Sequence, residues 1–509
     1  MALSRIIPLV ATLALAACST DELALAPATP AHPWVIPPSL DILPKPGSTS
    51  ADEVSSAASS APTVEGGKGW AANAPAIPRR ENAVPIDPAR RYDLASLIDL
   101  AQRNHPETRE AWEQARQAAL AVGLVETGYL PQITAEAVGG FQHTPLPIPT
   151  NLIARGYFTS NTIEVLPTLT AKWLLFDFGR RAGAEQAARA GSFVANVGFT
   201  GVHQKLIYEV SRDYFALGAA RGRLRVAQQA LKTAQIIQDA SETRRQHGLA
   251  TVVELAQARR QTAEARFNLA RATGAEHAAY AALIASIGIV SGTPVEVTDS
   301  TTQDLPAPPS GDLDQFVRDA LSNRPDIMTM LGKLKRAEGA LISAHADYYP
   351  TVGVEAQAYQ NVGALSTQGS RYFSVDEPGA NFLFKISVPL FDGGARDARL
   401  ATAHSEIAAA RASLDQAQDV AVRQVSDAYD GLRTSFAEYS AALPLTEAAQ
   451  TAYDAALDSY RHGFGTYTDL VNDETALSQA QSEKEDAHAN VFTAAAALAF
   501  ATGTILPPQ

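Results

Sequence analysis

Hydrophobic and polar residues along this chain follow two different periods, which together predict strands and very long helices. Alternation with period two, apolar against polar, predicts four strands. They lie at residues 132–138, 162–176, 352–356 and 381–388. Thin apolar stripes at helical spacing fill two long segments, 179–247 and 394–462, of which only the second contains a proline, Pro444. At 1.5 Å per residue, each segment would reach about 100 Å as one continuous helix.

These elements recur because the chain is a tandem duplication. The motif "DYYPTV" repeats "GYLPQI" with an offset of 219 residues, Pro350 against Pro131. The motifs "FDGGAR" and "RHGFGTYTDL" repeat "FDFGRR" and "QHGLATVVEL" with an offset of 215 residues, Phe391 against Phe176. Each half therefore predicts a short helix, a helix that begins at "NHP" or "NRP", a strand hairpin, a very long helix, a tight turn and another long helix.

The N-terminal residues have the layout of a secretory signal. Residues 1–17 carry one basic residue, an apolar run and then small residues, which predicts a signal peptide. Cys18 follows directly in "LAAC", the position at which bacterial lipoproteins are cleaved and acylated, so we predict that Cys18 is the lipidated mature N-terminus. An unmodified thiol is the alternative. By similarity to enteric lipoproteins, Ser19 after the cysteine favours the outer membrane as the destination.

Composition divides the rest of the chain into segments. Residues rich in Pro, Ala and Ser predict an extended N-terminal tether, and the duplication predicts two repeats with a linker between them. The predicted boundaries are 18–91 for the lipidated tether, 92–290 for the first repeat, 291–311 for the linker, 312–504 for the second repeat and 505–509 for a C-terminal tail. A net charge of −13 argues against a nucleic-acid partner. With a single cysteine the chain forms no intrachain disulfide.

Hydropathy bears on how the chain could cross a membrane. After Cys18 no apolar run reaches the roughly 18 to 20 residues that a transmembrane helix needs. Strands with one apolar and one polar face suit a wall between lipid and water, although a half-buried soluble sheet gives the same pattern. Four strands cannot close a barrel, which takes about eight. The membrane interpretation therefore predicts one barrel built from several chains.

No sequence motif points to catalysis or to a cofactor. The zinc-protease "HExxH", the hydrolase "GxSxG" and the phosphate-binding glycine loop are all missing, and the ten histidines are scattered. One cysteine and three methionines do not support a soft-metal site. We therefore expect neither an enzyme nor a bound cofactor.

In their order and double occurrence, the "NHP" and "NRP" helix starts, the "FDFG" and "FDGG" motifs and the "HG" turns resemble the TolC-like outer-membrane efflux proteins, and most closely their lipoprotein branch. The resemblance covers roughly residues 92–503. It implies a mainly α protein with membrane β structure: a trimer whose 12-stranded outer-membrane β-barrel, four strands from each chain, continues into a long periplasmic α-helical barrel.

The resemblance also implies a function and its partners. The expected role is a passive exit duct in the outer membrane, which meets an inner-membrane transporter through a periplasmic adaptor protein and exports small molecules such as drugs or toxic compounds. A duct for type I protein secretion is the alternative within transport. A lipid-anchored periplasmic coiled-coil scaffold without a pore is the alternative from another class.

The same resemblance implies two sites at the periplasmic turns. Family members narrow this end with acidic residues and hold it with tyrosine and arginine contacts, so three copies of a carboxylate would favour cations. The gate candidates are Glu254, Asp469, Asp473 and Tyr460, with Arg244 nearby and Asn472 where the family can place a second aspartate. The adaptor-docking candidates are Gly248, Thr251, Gly463 and Thr466. Solvated helix-surface charges and plain turn residues are the alternatives.

Overall fold

The computed structural model describes residues 22–35, 82, 84–149, 151, 156–290, 292–309, 311–367 and 369–506. The predicted signal peptide and Cys18 lie outside these residues, as does most of the predicted tether. Within the described ranges, no helix has the length and apolar character needed to cross a membrane.

The elements follow the predicted order in both halves. The helices are α1 Leu94–Asn104, α2 Pro106–Glu126, α3 Arg180–Gln246, α4 Val252–Ile287, α5 Leu313–Asn323, α6 Pro325–Ala346, α7 Ala395–His462 and α8 Tyr467–Ala501. The strands are β1 Arg91–Tyr92, β2 Gln132–Pro147, β3 Tyr157–Phe176, β4 Glu296–Val297, β5 Thr351–Thr367 and β6 Phe373–Ser387. Two short 3₁₀ helices lie at Glu22–Leu25 and Thr127–Tyr129.

The two long helices are continuous, as their patterns predict. Helix α3 has 67 residues and α7 has 68, and α7 runs through Pro444 without a break. A proline also begins α2 and α6, Pro106 and Pro325, where its fixed φ suits the first turn and its missing N–H leaves no intrahelical bond unmade.

The chain divides into two compact units. Of the described residues, the sheet unit contains those within 22–26, 115–195 and 330–414, and the helical unit contains those within 27–114, 196–329 and 415–506. In the sheet unit, the antiparallel order is β2-β3-β5-β6, so β2 and β6 are the edge strands. Each repeat contributes one hairpin to this sheet, β2–β3 from the first repeat and β5–β6 from the second, and the two hairpins lie side by side.

Apolar and polar residues of the sheet are sorted into separate faces by its register. One row across all four strands consists of Ile133, Ala171, Ala356 and Phe382, which are all apolar. The adjacent row consists of Thr134, Thr170, Gln357 and Asn381, which are all polar, and the Asn381 side-chain N–H donates to Gln357 Oε1 at 3.0 Å. The apolar face is exposed in the chain, 72% at Phe382 and 57% at Ile133. The predicted alternation is therefore confirmed.

Two of the hydrophobic cores of the helical unit bear on the candidate site. The larger core forms where α1, α3 and α4 meet the parallel β1–β4 pair, around Leu97, Tyr214 and Leu283. A smaller core lies where α3 leads into α4 and α7 into α8. It contains Ile237, Ala258, Tyr460, Tyr467 and Leu470. Tyr460, one of the candidate gate residues, belongs to this smaller core.

Candidate gate and docking site at the helical turns

The two "HG" turns end α3 and α7 with the same backbone motif. Gly248 has φ +75° and Gly463 has φ +80°, the left-handed conformation that glycine adopts at little cost. The Leu249 N–H donates to the Arg244 carbonyl at 2.8 Å, and the Phe464 N–H donates to the Ser459 carbonyl at 2.9 Å. These bonds across the last turn are those of a Schellman motif. The duplication has kept this local geometry in both repeats.

A threonine begins the next helix in each repeat. Thr251 Oγ1 accepts from the Glu254 N–H, and Thr466 Oγ1 accepts from the Asp469 N–H, both at 3.1 Å. These are N-cap bonds, which satisfy a helix donor that has no partner within the helix. Both turns are therefore tightly defined, and each projects a carboxylate from the first turn of the helix that follows.

The two equivalent carboxylates reach different partners. Asp469 stays at its own cap, where Thr466 Oγ1 donates to Asp469 Oδ2 at 2.7 Å. The glutamate at the equivalent position is one methylene longer, and Glu254 Oε1 accepts from the Tyr460 hydroxyl at 2.5 Å. Asp469 is exposed, whereas Glu254 is half-buried. The two turns therefore share a backbone geometry, but only the Glu254 carboxylate forms a hydrogen bond to a residue of the other repeat.

Tyr460 lies at the centre of a set of contacts that we call the tyrosine node: Tyr460, Glu254, Arg244 and Ser241. The Arg244 guanidinium lies 4.7 Å from the Tyr460 ring centroid, and its Nη1 donates to the Tyr460 carbonyl at 3.2 Å. The Ser241 and Tyr460 hydroxyl oxygens are 3.4 Å apart. The tyrosine node therefore ties the end of α7 to the end of α3 and the start of α4.

Burial keeps the hydroxyl at this centre protonated. Tyr460 is only 5% exposed. Burial raises the pKa of its hydroxyl, and the hydrogen bond to Glu254 raises it further. The hydroxyl therefore remains protonated at neutral pH and donates to the Glu254 carboxylate, an arrangement that is stronger than a bond between two neutral groups.

Two buried groups behind the tyrosine node were missed by the sequence reasoning. The Tyr467 ring packs edge-on at 6.2 Å from Tyr460, its hydroxyl lacks a hydrogen-bond partner among the described residues, and burial raises its pKa to about 12. Glu474 is 7% exposed, and its Oε2 accepts from Gln261 Nε2 at 3.5 Å. Burial raises the pKa of Glu474. A stripe from Tyr467 through Leu470 to Glu474, at helical spacing, could have revealed both.

The remaining gate candidates lie on α8 outside the tyrosine node. Asn472 is exposed and Asp473 is half-buried. Neither Asp469 nor Asp473 forms an ion pair within the part of the chain that the structure describes. The structure thus brings Tyr460, Glu254 and Arg244 together, and leaves Asp469 and Asp473 as acidic groups without a compensating cation in the described chain.

Apolar side chains project from the docking candidates. Leu249 is 69% exposed, Val252 68% and Val253 65% around the first turn, and Phe464 is 91% exposed in the second. Large exposed apolar groups at both turns are typical of an interaction surface. We call these four residues the turn patch.

Comparison with known proteins agrees with this architecture. A sequence model of the family "Outer membrane efflux protein" matches residues 97–289 and 316–504, one segment in each repeat. The chain is 27% identical over 425 residues to "Protein CyaE" of Bordetella pertussis, covering 82% of this chain and 86% of that protein. It is 24% identical over 385 residues to "Cation efflux system protein CusC" of Escherichia coli K12, covering 75% and 80%.

A solved structure of CusC, described in connection with transmembrane channel formation, shows the same fold. The TM-score is 0.68 at 22% sequence identity, and the likeness covers 84% of this chain and 99% of that one. The predicted fold class, mainly α with a four-stranded membrane sheet in each chain, is thereby confirmed. Because the family model matches most of the chain and does so twice, this chain belongs to the outer membrane efflux protein family.

Proposed function

We propose that this chain is the outer-membrane exit duct of a tripartite efflux system that exports small molecules. The observation that carries the proposal is the four-stranded sheet, which has one continuous apolar face and two unpaired edges. A homotrimer supplies twelve strands, enough to close a barrel whose apolar face meets lipid and whose polar face meets water. The 67 and 68 residues of α3 and α7 then supply the wall of a periplasmic helical barrel.

Two features attach the trimer to the membrane in this proposal. The closed barrel crosses the outer membrane, and acylated Cys18 adds a lipid anchor in the leaflet that faces the periplasm. Exposed aromatic residues of the apolar face, such as Phe382 and Phe384, lie among lipid chains. Transport through such a duct requires neither catalysis nor a cofactor, and the members of this family are channels.

The gate of the proposed duct is the acidic end of the helical unit. Three copies of Glu254, Asp469 and Asp473 around one axis repel one another and attract cations, which sets a cation-preferring constriction. The tyrosine node opposes this repulsion because it ties the end of α7 to α3 and α4. Opening then consists of breaking the tyrosine node and moving α7 and α8 outward.

The partner that opens the gate is a periplasmic adaptor, which connects the duct to an inner-membrane transporter. The turn patch lies directly beside the tyrosine node in the sequence: Phe464 is four residues from Tyr460, and Val253 precedes Glu254. Gly248 and Gly463 shape the turns, and Thr251 and Thr466 cap the helices that follow. An adaptor that covers the turn patch therefore acts on the backbone next to the gate.

Accumulation of a fluorescent efflux dye tests the proposal. Cells without this chain should accumulate more dye, and complementation with the wild-type chain should reverse the increase. Phe464→Asp should fail to complement because it places a charge in the turn patch, whereas Phe464→Leu, which keeps the apolar character, should complement. Normal dye levels combined with a missing exported protein would assign the chain to type I secretion. Outer-membrane trimers that conduct no ions in planar bilayers would contradict a duct of either kind.

A further inference from the structure

Each edge strand of the sheet carries one charged residue near the helices that finds no ion-pair partner within the described chain, and the two residues have opposite signs. Glu136 lies on the edge strand β2, and Lys385 lies on the edge strand β6. Both project from the polar face, and neither forms an ion pair with a described residue. On the inner strands β3 and β5, two charges of the polar face are paired with each other, since Lys172 Nζ lies 3.7 Å from Glu355 Oε1. Glu136 and Lys385 are therefore complementary to each other, although within one chain they lie on opposite edges of the sheet.

The duplication provides a rule that converts one register into another. In the first hairpin, Gln132 lies opposite Lys172. Adding the repeat offsets of 219 to the first strand and 215 to the second gives Thr351 opposite Ser387, which is the register observed in the second hairpin. The two hairpins therefore have the same register, and the offsets come from motifs at the ends of the strands that lie next to the helices.

The same rule applies to the contact between repeats. Strands β3 and β5 pair with Lys172 opposite Glu355. The equivalents of these residues are Ser387 on β6, since 172 plus 215 is 387, and Glu136 on β2, since 355 minus 219 is 136. These two strands are the free edges, so the equivalent contact exists only between two copies of the chain.

We propose that β6 of one chain pairs antiparallel with β2 of the next, with Ser387 opposite Glu136 of the partner subunit. This inference rests on the proposed trimeric duct and specifies the residues at its three seams. It places Ile386 opposite Ala137 of the partner subunit, which continues the apolar face across the seam. A slip by one residue would turn that face into the lumen, so the lipid boundary excludes it.

Charge and proline positions distinguish this register from slips by two. Lys385 becomes the diagonal neighbour of Glu136 of the partner subunit, a separation that long side chains bridge on one face of a sheet. The register also places Pro378 opposite Pro145 of the partner subunit, so that the two residues without an N–H share one rung. A slip by two that places Lys385 directly opposite Glu136 would separate these prolines. The opposite slip pairs Pro378 with Pro147 instead, but it moves Lys385 out of reach of Glu136.

Disulfide cross-linking in the full-length chain tests the register directly. Cys18 is the only native cysteine, and its proposed acylation leaves no native thiol to react with the engineered pairs. The in-register pairs are Leu383→Cys with Gly140→Cys and Phe384→Cys with Gly139→Cys. Adjacent rungs alternate between wide and close spacing, so one of these pairs is close enough to bond. The controls, each two residues out of register, combine Leu383→Cys with Val138→Cys or with Gln142→Cys.

We expect covalent oligomers on non-reducing gels for an in-register pair after oxidation of outer membranes, and far less for either control. Stronger cross-linking by a control pair would overturn the register and leave the proposed duct intact. The same conclusion would follow if the trimers conduct ions but neither in-register pair forms a cross-link. Absence of both trimers and conductance would overturn the duct as well.

A charge exchange provides a second measurement that does not depend on cysteine geometry. Lys385→Glu and Glu136→Lys should each lower the temperature at which the trimer dissociates in detergent, and the double variant should recover most of the loss. The same exchange at Lys172 and Glu355, which pair within one chain, serves as the matched control. Equal loss in the single and double edge variants would refute the ion pair across the seam.

Discussion

Removing the Tyr460 hydroxyl should open the gate, and the structure allows the size of the effect to be worked out. Tyr460→Phe deletes the hydrogen bond to Glu254 and keeps the ring beneath Arg244. A hydrogen bond to a charged group contributes about 1.5 to 3 kcal/mol, and we take the lower value because Glu254 is half-buried. If three chains open together, the closed state loses about 4.5 kcal/mol, which is roughly a thousandfold shift toward the open state.

Single-channel recording in planar bilayers measures this shift. The Tyr460→Phe trimer should occupy its high-conductance state far more often than the wild type. Glu254→Gln should show a smaller effect because its amide oxygen still accepts a neutral hydrogen bond. The matched control is Tyr453→Phe, which removes a hydroxyl from another partly buried tyrosine of α7 outside the tyrosine node. If the assembled Tyr460→Phe trimer conducts like the wild type, the tyrosine node does not hold the gate.

Three further predictions concern the same end of the helical unit. Glu254→Gln combined with Asp469→Asn should lower the preference for cations, measured as a reversal potential closer to zero in a salt gradient, and unchanged selectivity would refute the acidic constriction. Gly248→Ala and Gly463→Ala should each destabilise the chain by about 1 to 2 kcal/mol in thermal unfolding, because both glycines have positive φ, whereas Gly274→Ala within α4 should not. Burial raises the pKa of Glu474 in the folded chain above its value in the unfolded chain. The stability associated with protonated Glu474 is therefore fully present below the unfolded pKa and is lost as pH rises through the folded pKa. Glu474→Gln should remove that pH dependence and raise the melting temperature at neutral pH, and an unchanged pH profile would contradict the assignment.

Local patterns were enough to predict most of the fold. Period-two alternation identified the strands and the face to which each residue belongs, because side chains of a strand alternate strictly between two faces. The "HG" and threonine positions predicted the turns, since glycine and threonine act within a few residues of their own position. Helix α7 shows where a local rule was overridden, because it continues through Pro444 within a long helix that other contacts support.

The contacts of the candidate site could not be derived in the same way. Tyr460 and Glu254 are 206 residues apart, and their contact depends on how two helical hairpins pack. The repeat predicted that Glu254 and Asp469 are equivalent, but their different partners follow from one methylene in a particular packed geometry. Glu474 was missed because a carboxyl group is rarely buried, so its charge outweighed its position on an apolar stripe.

The open edges of the sheet also have a consequence for biosynthesis. A solitary chain exposes two rows of unpaired backbone groups beside an apolar face, a combination that favours aggregation in water. In the proposed trimer, the stability of one chain depends on the concentration of other copies, since the sheet is completed only by association. If the proposed trimer forms, each newly made chain needs its two edges and its apolar face covered until three chains associate.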